Sequence, residues 1–285
     1  MTGEEQKQMI SQIREHLLPQ CFNAAVKAGA AIMKIYKDND YQVALKSDHT
    51  PITIADRLAH DTIKQTLGST RVPVLSEEGR EILFDEHRNW ELFLLVDPLD
   101  GTVEFIKRNN EFTVNIALLA DNECIGSVLY VPYLEKMYVA AKGKGAYLIR
   151  NIAPCEEPKY ERTQIESMLE RLPLEGSCHE GFRVAVSRSH QTPETQQRVE
   201  ELRVEHPDLE VIEQGSSYKF CLLAEGTVDY YVRTTNTYEW DTAAGELILS
   251  EAGGKTISYP DGKPLAYNKA DLKNPWFEAT GAKCR

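Results

Sequence analysis

Apolar residues recur at three- and four-residue steps through Phe22, Ala25, Val26, Gly29, Ile32, Met33 and Tyr36, the period of a helix with one buried face. The spacing predicts a helix that starts after Pro19 and runs to about Tyr36, because proline suits a first helical turn and disrupts an interior one. Thr53 announces a second helix as a hydroxyl N-cap, with Asp56 three residues on, then Leu58, Ile63 and Leu67, and Gly68 as the stop. Short apolar runs follow at 72–75, 92–96, 114–119, 125–130 and 136–141, rich in branched and aromatic residues and separated by turn residues. Consecutive strands of this kind predict an α+β first half.

From Phe182 the pattern alternates: strand 183–186, helix 193–205, strand 209–212, helix 217–224, strand 228–232, helix 241–251 and a further strand. That alternation predicts an α/β layer. Between the two lies 151–181, which is polar, carries Pro154, Pro158 and Pro173, and holds one short helical stretch at 164–171. The expected division is therefore 1–150, a connecting segment 151–181, and 182–285. No repeat of solenoid period and no low-complexity tract interrupts it.

Composition narrows the function. A chain of 285 residues, 42% hydrophobic and 27% charged, can bury one sizeable core or two small ones and is not disordered in composition. Lys and Arg total 32 against 44 Asp and Glu, a formal charge of -12, which excludes broad electrostatic binding of nucleic acid. A small anion would need a local positive device. No apolar stretch approaches the roughly 20 residues of a membrane span, and the start is polar without an apolar signal core, so a cytoplasmic protein is expected. The cysteines (21, 124, 155, 178, 221 and 284) are scattered without metal-ligand spacing. They are expected to be reduced, several as small core residues.

The candidate chemistry is acidic. A buried-looking strand runs into Asp97-Pro98-Leu99-Asp100-Gly101-Thr102, where Pro98 and Gly101 predict a sharp turn. There two carboxylates and an inward backbone carbonyl could meet as hard oxygen ligands for Mg²⁺. Alone, a capped turn would look the same. Glu77 and Glu78 end the 72–75 strand, where paired Glu residues are commonly a solvated edge, and Asp241 opens a small-residue helix, where an N-cap is the simplest role. The combination points further, because acids at the ends of separate rigid elements are how a metal site is assembled. Two other patterns carry no such weight. Gly253-Gly254-Lys255-Thr256 would need the first glycine of a P-loop at Leu249, so it reads as a helix C-cap, and 143–145 reads as a hairpin turn.

The segments LSEE (75–78), DPLDGT (97–102) and EWDTAAGE (239–246), with SDHTPITIAD (47–56) upstream, resemble the signatures of the inositol-monophosphatase superfamily in order and separation. Within it, GTVEFIKRNNEFTVNIAL (101–118), VSRSH (186–190) and GSSYKFCLLAEG (215–226) look closest to the CysQ-type bacterial 3′(2′),5′-bisphosphate nucleotidases. The resemblance implies a layered αβαβα sandwich of the sugar-phosphatase type. It implies one Mg²⁺ held by Glu77, Asp97 and the Leu99 carbonyl, a second among Asp97, Asp100 and Asp241, and a weaker third near Glu77. Asp56 and Thr102 would orient the attacking water. Substrate would meet these metal-side residues with Gly101 and Thr102, and a nucleotide-recognition group of Gly215, Ser216, Ser217, Lys219 and Arg233. Ser187, Arg188 and His190 are further loop candidates for that group. The weaker alternative for Lys219 and Arg233 is a pair of solvated surface cations.

The implied reaction is Mg²⁺-dependent removal of the 3′-phosphate of adenosine 3′,5′-bisphosphate, with the sulfated analogue as a second substrate, lithium inhibition and a role in sulfur metabolism. Two alternatives stay open at this point, a phosphatase for inositol or another sugar, and a non-catalytic module that senses metal or nucleotide. The sequence leaves the oligomeric state open.

Overall fold

The computed structural model describes residues 3–39, 41–46, 50–177 and 179–282, with side chains from Glu15 onward. Ser47, Asp48 and His49 of the upstream motif lie outside the described residues, as do Cys178 and Cys284. In chain order the first elements are α1 (Gly3–Asp38), β1 (Ala44–Leu45), β2 (Pro51–Ile52), α2 (Ile54–Leu67), β3 (Val74–Ser76), α3 (Phe84–His87), β4 (Leu92–Asp100), α4 (Thr102–Ile106), β5 (Thr113–Ala120), β6 (Glu123–Val131), β7 (Lys136–Ala141) and β8 (Gly145–Ile149). Then come α5 (Arg162–Ser167), β9 (Glu170–Arg171), β10 (Arg183–Ser187), α6 (Pro193–Glu205), β11 (Glu210–Gln214), α7 (Tyr218–Glu225), β12 (Tyr230–Arg233), α8 (Glu239–Ala252), β13 (Lys255–Ser258) and β14 (Phe277–Thr280).

Strands β3 to β9 form a seven-stranded sheet in chain order, antiparallel except for the parallel β3–β4 pair. The second sheet has the order β11-β10-β12-β14-β13. Side-chain alternation along β4 shows the layering. Leu94 and Val96 join a core with α1 and α2, whereas Phe93 and Leu95 face the other way onto Ala243 and Ala244 of α8. Helices α7 and α8 then pack on Tyr231, Phe277 and Ala279 of the second sheet. Its far face, with Val184, Val186 and Val232, is covered by Val199 and Leu202 of α6. The layers are α1/α2, sheet, α7/α8, sheet and α6, as expected from the resemblance.

Four local expectations change. Helix α1 begins by Gly3 and passes through Pro19. Leu17, Cys21 and Phe22 are buried on either side of it, and this packing offsets the proline's cost of about 3 kcal/mol. The stretch 164–171 is helical only to Ser167, because Glu170 and Arg171 pair with β8 as an edge strand. The DPLDGT segment is not a sharp turn: β4 continues to Asp100 with an irregularity in its pairing to β5 between Asp97 and Asp100. Strand β14 carries no period in the sequence, yet it lies between β12 and β13 and completes the second sheet.

The described residues of the connecting segment are not among those lining the acidic pocket described below. Its chain is fastened to α1, where Asn23 and Tyr160 exchange two hydrogen bonds of 2.9 and 3.0 Å. The described cysteines, Cys21, Cys124, Cys155 and Cys221, are free thiols, with Cys21 and Cys221 buried. No helix among the described residues is long and apolar enough to cross a membrane.

Candidate active site

The site is assembled where β3 and β4 end. Parallel pairing sets Ser76 opposite Val96, and the ladder extends one bond further, from the Glu77 N–H to the Val96 carbonyl at 3.1 Å. Glu77 and Asp97 therefore leave neighbouring strands together. Asp241 arrives from the other side, in the first turn of α8, where its Oδ2 accepts the Tyr238 N–H at 2.8 Å. Asp241 is not the N-cap expected of it: Tyr238 takes that position, and Asp241, third in the helix, caps back on the Tyr238 N–H with the carboxylate that also meets Glu77 and Asp97. One oxygen from each of Glu77, Asp97 and Asp241 lies within 4.8 Å of the others.

Such a cluster is unstable without a cation. Two carboxylates about 4 Å apart repel by roughly 4 kcal/mol at an effective dielectric of about 20. Burial, then Glu77, Asp100 and Asp241, holds the Asp97 carboxyl well above the usual range. Burial, then Asp100 and Glu77, does the same to Asp241. Burial pushes Glu77 up to about 7 despite Lys46, whose Nζ lies 2.6 Å from it and also contacts Glu78. An all-oxygen donor set with this need for positive charge fits a hard divalent ion. Lys46 was not singled out by the sequence; its place between the exposed strand β1 and the TPITIAD stretch is the signal that pointed there.

Asp100 and Leu99 line the same cavity. The Leu99 side chain is buried in the core. Asp100 is turned toward α7: its Oδ2 accepts the Ser217 N–H at 2.5 Å and the Ser217 hydroxyl. Asp56 and Thr102 meet directly. The Thr102 hydroxyl donates to Asp56 Oδ1 at 2.8 Å, while Asp56 Oδ2 accepts from the Thr53 N–H at 2.7 Å and the Thr53 hydroxyl at 2.6 Å. Burial raises the pKa of Asp56, against these hydrogen bonds.

Gly101 has φ +92°, and a Cβ there would lie 2.8 Å from the Glu111 carbonyl. Crowding by the protein itself thus requires the glycine. Gly215 packs as closely on Glu104 and donates its N–H to Glu111 Oε2 at 2.7 Å. Ser216 adopts φ +52° beside it.

The same cavity also gathers basic and hydroxyl side chains. Arg233, His190, Lys219, Ser187, Ser216 and Ser217 all line it. Lys219 is no solvated surface cation. It is 2% exposed, and its Nζ donates to the carbonyls of Gln214 and Ser216 at 2.9 and 2.6 Å, holding the turn before α7. Burial and then Arg233 lower it to about 7. His190 is lowered to about 4 by desolvation of its ring, then by Arg233 and Lys219. Arg188 turns away: it pairs with Glu111 at 2.7 Å and with Glu213 at 3.3 Å, outside the cavity lining.

Residues 14–277 match the sequence profile of the inositol monophosphatase family. This chain belongs to that family. A 3'(2'),5'-bisphosphate nucleotidase CysQ from Escherichia coli K12 is 40% identical over 271 residues, covering 93% of this chain and 99% of that protein. The Haemophilus influenzae protein of the same name is 34% identical over 273 residues, covering 94% of each. The crystal structure of CysQ from Bacteroides thetaiotaomicron superimposes with a TM-score of 0.84 at 44% identity, covering 93% of this chain and 96% of that one. Within this inositol monophosphatase fold, the acidic cluster and these basic side chains, the basic wall, line one cavity.

Proposed function

We propose that the chain hydrolyses the 3′-phosphate of adenosine 3′,5′-bisphosphate to AMP and phosphate, with Mg²⁺ as cofactor. The observation that carries this reading is the shared cavity, which offers carboxylates for cations and Arg233 for a second anionic group. The names of the similar proteins agree with it.

Glu77, Asp97 and Asp241, with Asp100 and the Leu99 carbonyl beside them, would hold two or three Mg²⁺ ions. Bound Mg²⁺ supplies Lewis acidity to the phosphoryl oxygens and to water. The protein's own groups do the rest. Thr102 directs its proton at Asp56, so a lone pair on Oγ1 is left to accept a hydrogen bond from the attacking water. As water bonds to phosphorus, the water's proton would pass toward Thr102 and the hydroxyl proton toward Asp56, while the ribose oxygen leaves with the bonding pair and takes a proton from solvent. Gly101 and Thr102 present their backbone to the same space. Arg233, with Ser187, Ser216 and Ser217 around it, would receive the 5′-phosphate, and Lys219 and Gly215 shape the turn that carries those serines.

The sulfated analogue, carrying sulfate on its 5′-phosphate, is the second substrate in this reading, which places the enzyme in sulfur metabolism. Free thiols suit the cytoplasm. The test is phosphate release from a panel of nucleotide and sugar phosphates with Mg²⁺, with Ca²⁺, and with added Li⁺ as inhibitor. Highest kcat/KM on the bisphosphate is expected. A higher value on inositol 1-phosphate would replace the nucleotide reading, and tight binding with no phosphate release from any substrate would indicate a sensing module.

A further inference from the structure

Glu77 and Asp97 are fixed to one another by a sheet ladder, but Asp241 belongs to a helix in the next layer. Ala243 and Ala244 of that helix pack on the sheet, with Trp240 of its first turn against the same cluster. That turn is held by the Ser217 hydroxyl, which donates to the Asp241 carbonyl at 2.6 Å, and by the chain before β14. The Asn274 backbone N–H donates to the Thr237 carbonyl at 2.8 Å, and that same peptide group carries the Tyr238 N–H that caps Asp241. The Asn274 side-chain amide then takes the next peptide, donating to the Tyr238 carbonyl at 2.6 Å and to the Thr242 hydroxyl at 3.0 Å. Asn274 is 7% exposed, and its Oδ1 has no partner, so the NH₂ end is the one in use.

A second amide ties this assembly to the other half. The Asn268 N–H donates to Oε2 of Glu239, the first residue of α8 and fully buried, at 2.6 Å. Its side chain reaches His87 Nδ1 at 2.6 Å and Asn122 at 2.7 Å, both in the half that contributes Glu77 and Asp97.

We propose that Asn274, supported by Asn268, is a positioning residue that holds the Asp241 carboxylate in register with Glu77 and Asp97. The proposal rests on the reading of those three as a divalent-cation site. Asn274→Ala keeps the backbone bond to Thr237 but removes the side-chain bonds to the Tyr238 carbonyl and the Thr242 hydroxyl, loosening the turn that presents Asp241 while leaving every candidate ligand in the chain. The dominant effect falls on cation affinity, because supports behind a ligand commonly change metal affinity by about 10- to 100-fold.

The test is calorimetric titration of Mg²⁺ into the chelator-treated full chain, with thermal midpoints measured alongside. Asn274→Ala is expected to weaken Mg²⁺ about tenfold. At saturating Mg²⁺ the KM for the bisphosphate should stay within about twofold. Asn268→Ala, a gentler variant, is expected to weaken Mg²⁺ about threefold, and it decides the matter should Asn274→Ala not fold. Asn23→Ala removes a comparable amide bonded far from the site, and is expected to lower only the thermal midpoint. An Asn274→Ala protein that melts earlier, as Asn23→Ala does, but binds Mg²⁺ like the parent overturns the proposal. Asp241→Asn separates the two levels. If it weakens Mg²⁺ and Asn274→Ala does not, only the positioning role is lost. If the parent takes up no Mg²⁺, or Asp241→Asn binds it unchanged, the cation-site reading fails and the positioning role with it.

Discussion

The two walls of the cavity are electrostatic mirror images. In one, Glu77, Asp97 and Asp241 are buried among like charges, and their carboxyls are driven up toward the neutral acid. In the other, Lys219 and His190 are desolvated next to Arg233 and driven down toward the neutral base. Each wall resists its own ionisation, and each is relieved by an opposite charge, a cation at one and an anion at the other. Both groups are local, set within a chain of formal charge -12.

The largest effect should come from breaking the acidic wall at its centre. Asp97→Asn is expected to lower kcat by on the order of 10³-fold or more, the scale seen when one charge-stabilising group is taken from a reacting centre. Phosphate-release kinetics at saturating Mg²⁺ would check it. Activity close to the parent's would mean that the carboxylate cluster is not the reacting site.

The next prediction uses the opposite signs of the two walls. A carboxyl with a raised folded-state pKa stabilises less as pH rises between its unfolded and folded values, because the native state must give up a proton it prefers to keep. For Glu77 that window runs from about 4.5 to about 7. A histidine with a lowered pKa behaves in reverse, and for His190 stability grows as pH rises from about 4 to about 6.5. After chelation, His190→Asn should therefore steepen the loss of thermal midpoint between pH 4.5 and 7, and saturating Mg²⁺ should flatten it. Melting curves with and without chelator decide this. A pH slope indifferent to Mg²⁺ would remove the link between the cluster and a cation.

These walls were not equally legible. The acidic wall comes from short motifs in which each acid follows a strand or opens a helix, so local pattern placed it. The basic wall depends on tertiary burial. Lys219 reads as an exposed residue two positions after a serine turn, and only the fold shows it beneath that turn, donating to Gln214 and Ser216. Arg188 sits between candidates that do line the cavity, Ser187 and His190, yet one residue along a strand end is enough to point it elsewhere. Helix α1 shows the same limit, since the proline that should have started it is overridden by neighbours buried on both sides. The layered architecture was legible because period and order suffice for it. The short strands β8, β9 and β14 were not, because pairing partners alone define them.

A moderate effect should sharpen the basic wall. Arg233→Ala is expected to raise KM for the bisphosphate by about 10- to 100-fold, the equivalent of one lost charge-assisted hydrogen bond of about 1.5–3 kcal/mol. On inositol 1-phosphate, which lacks a second phosphate, the change should be no more than about threefold. Equal losses on both substrates, measured as kcat/KM, would place Arg233 in general phosphate binding and deprive the basic wall of its selectivity.

The smallest effect is expected at Arg188, and it tests whether the boundary of that wall has been drawn correctly. Its guanidinium is held by Glu111 and Glu213, and its side chain is more than a third exposed. Exposed pairs of this kind contribute about 1 kcal/mol or less. Arg188→Ala should thus lower the thermal midpoint slightly. Glu111 also accepts the Gly215 N–H, and this bond survives the substitution, so the turn before α7 keeps its anchor. KM for the bisphosphate should move by less than about twofold. A tenfold rise in KM would show that Arg188 leaves its carboxylates when the nucleotide arrives, and the basic wall would then extend one residue further than the fold alone indicates.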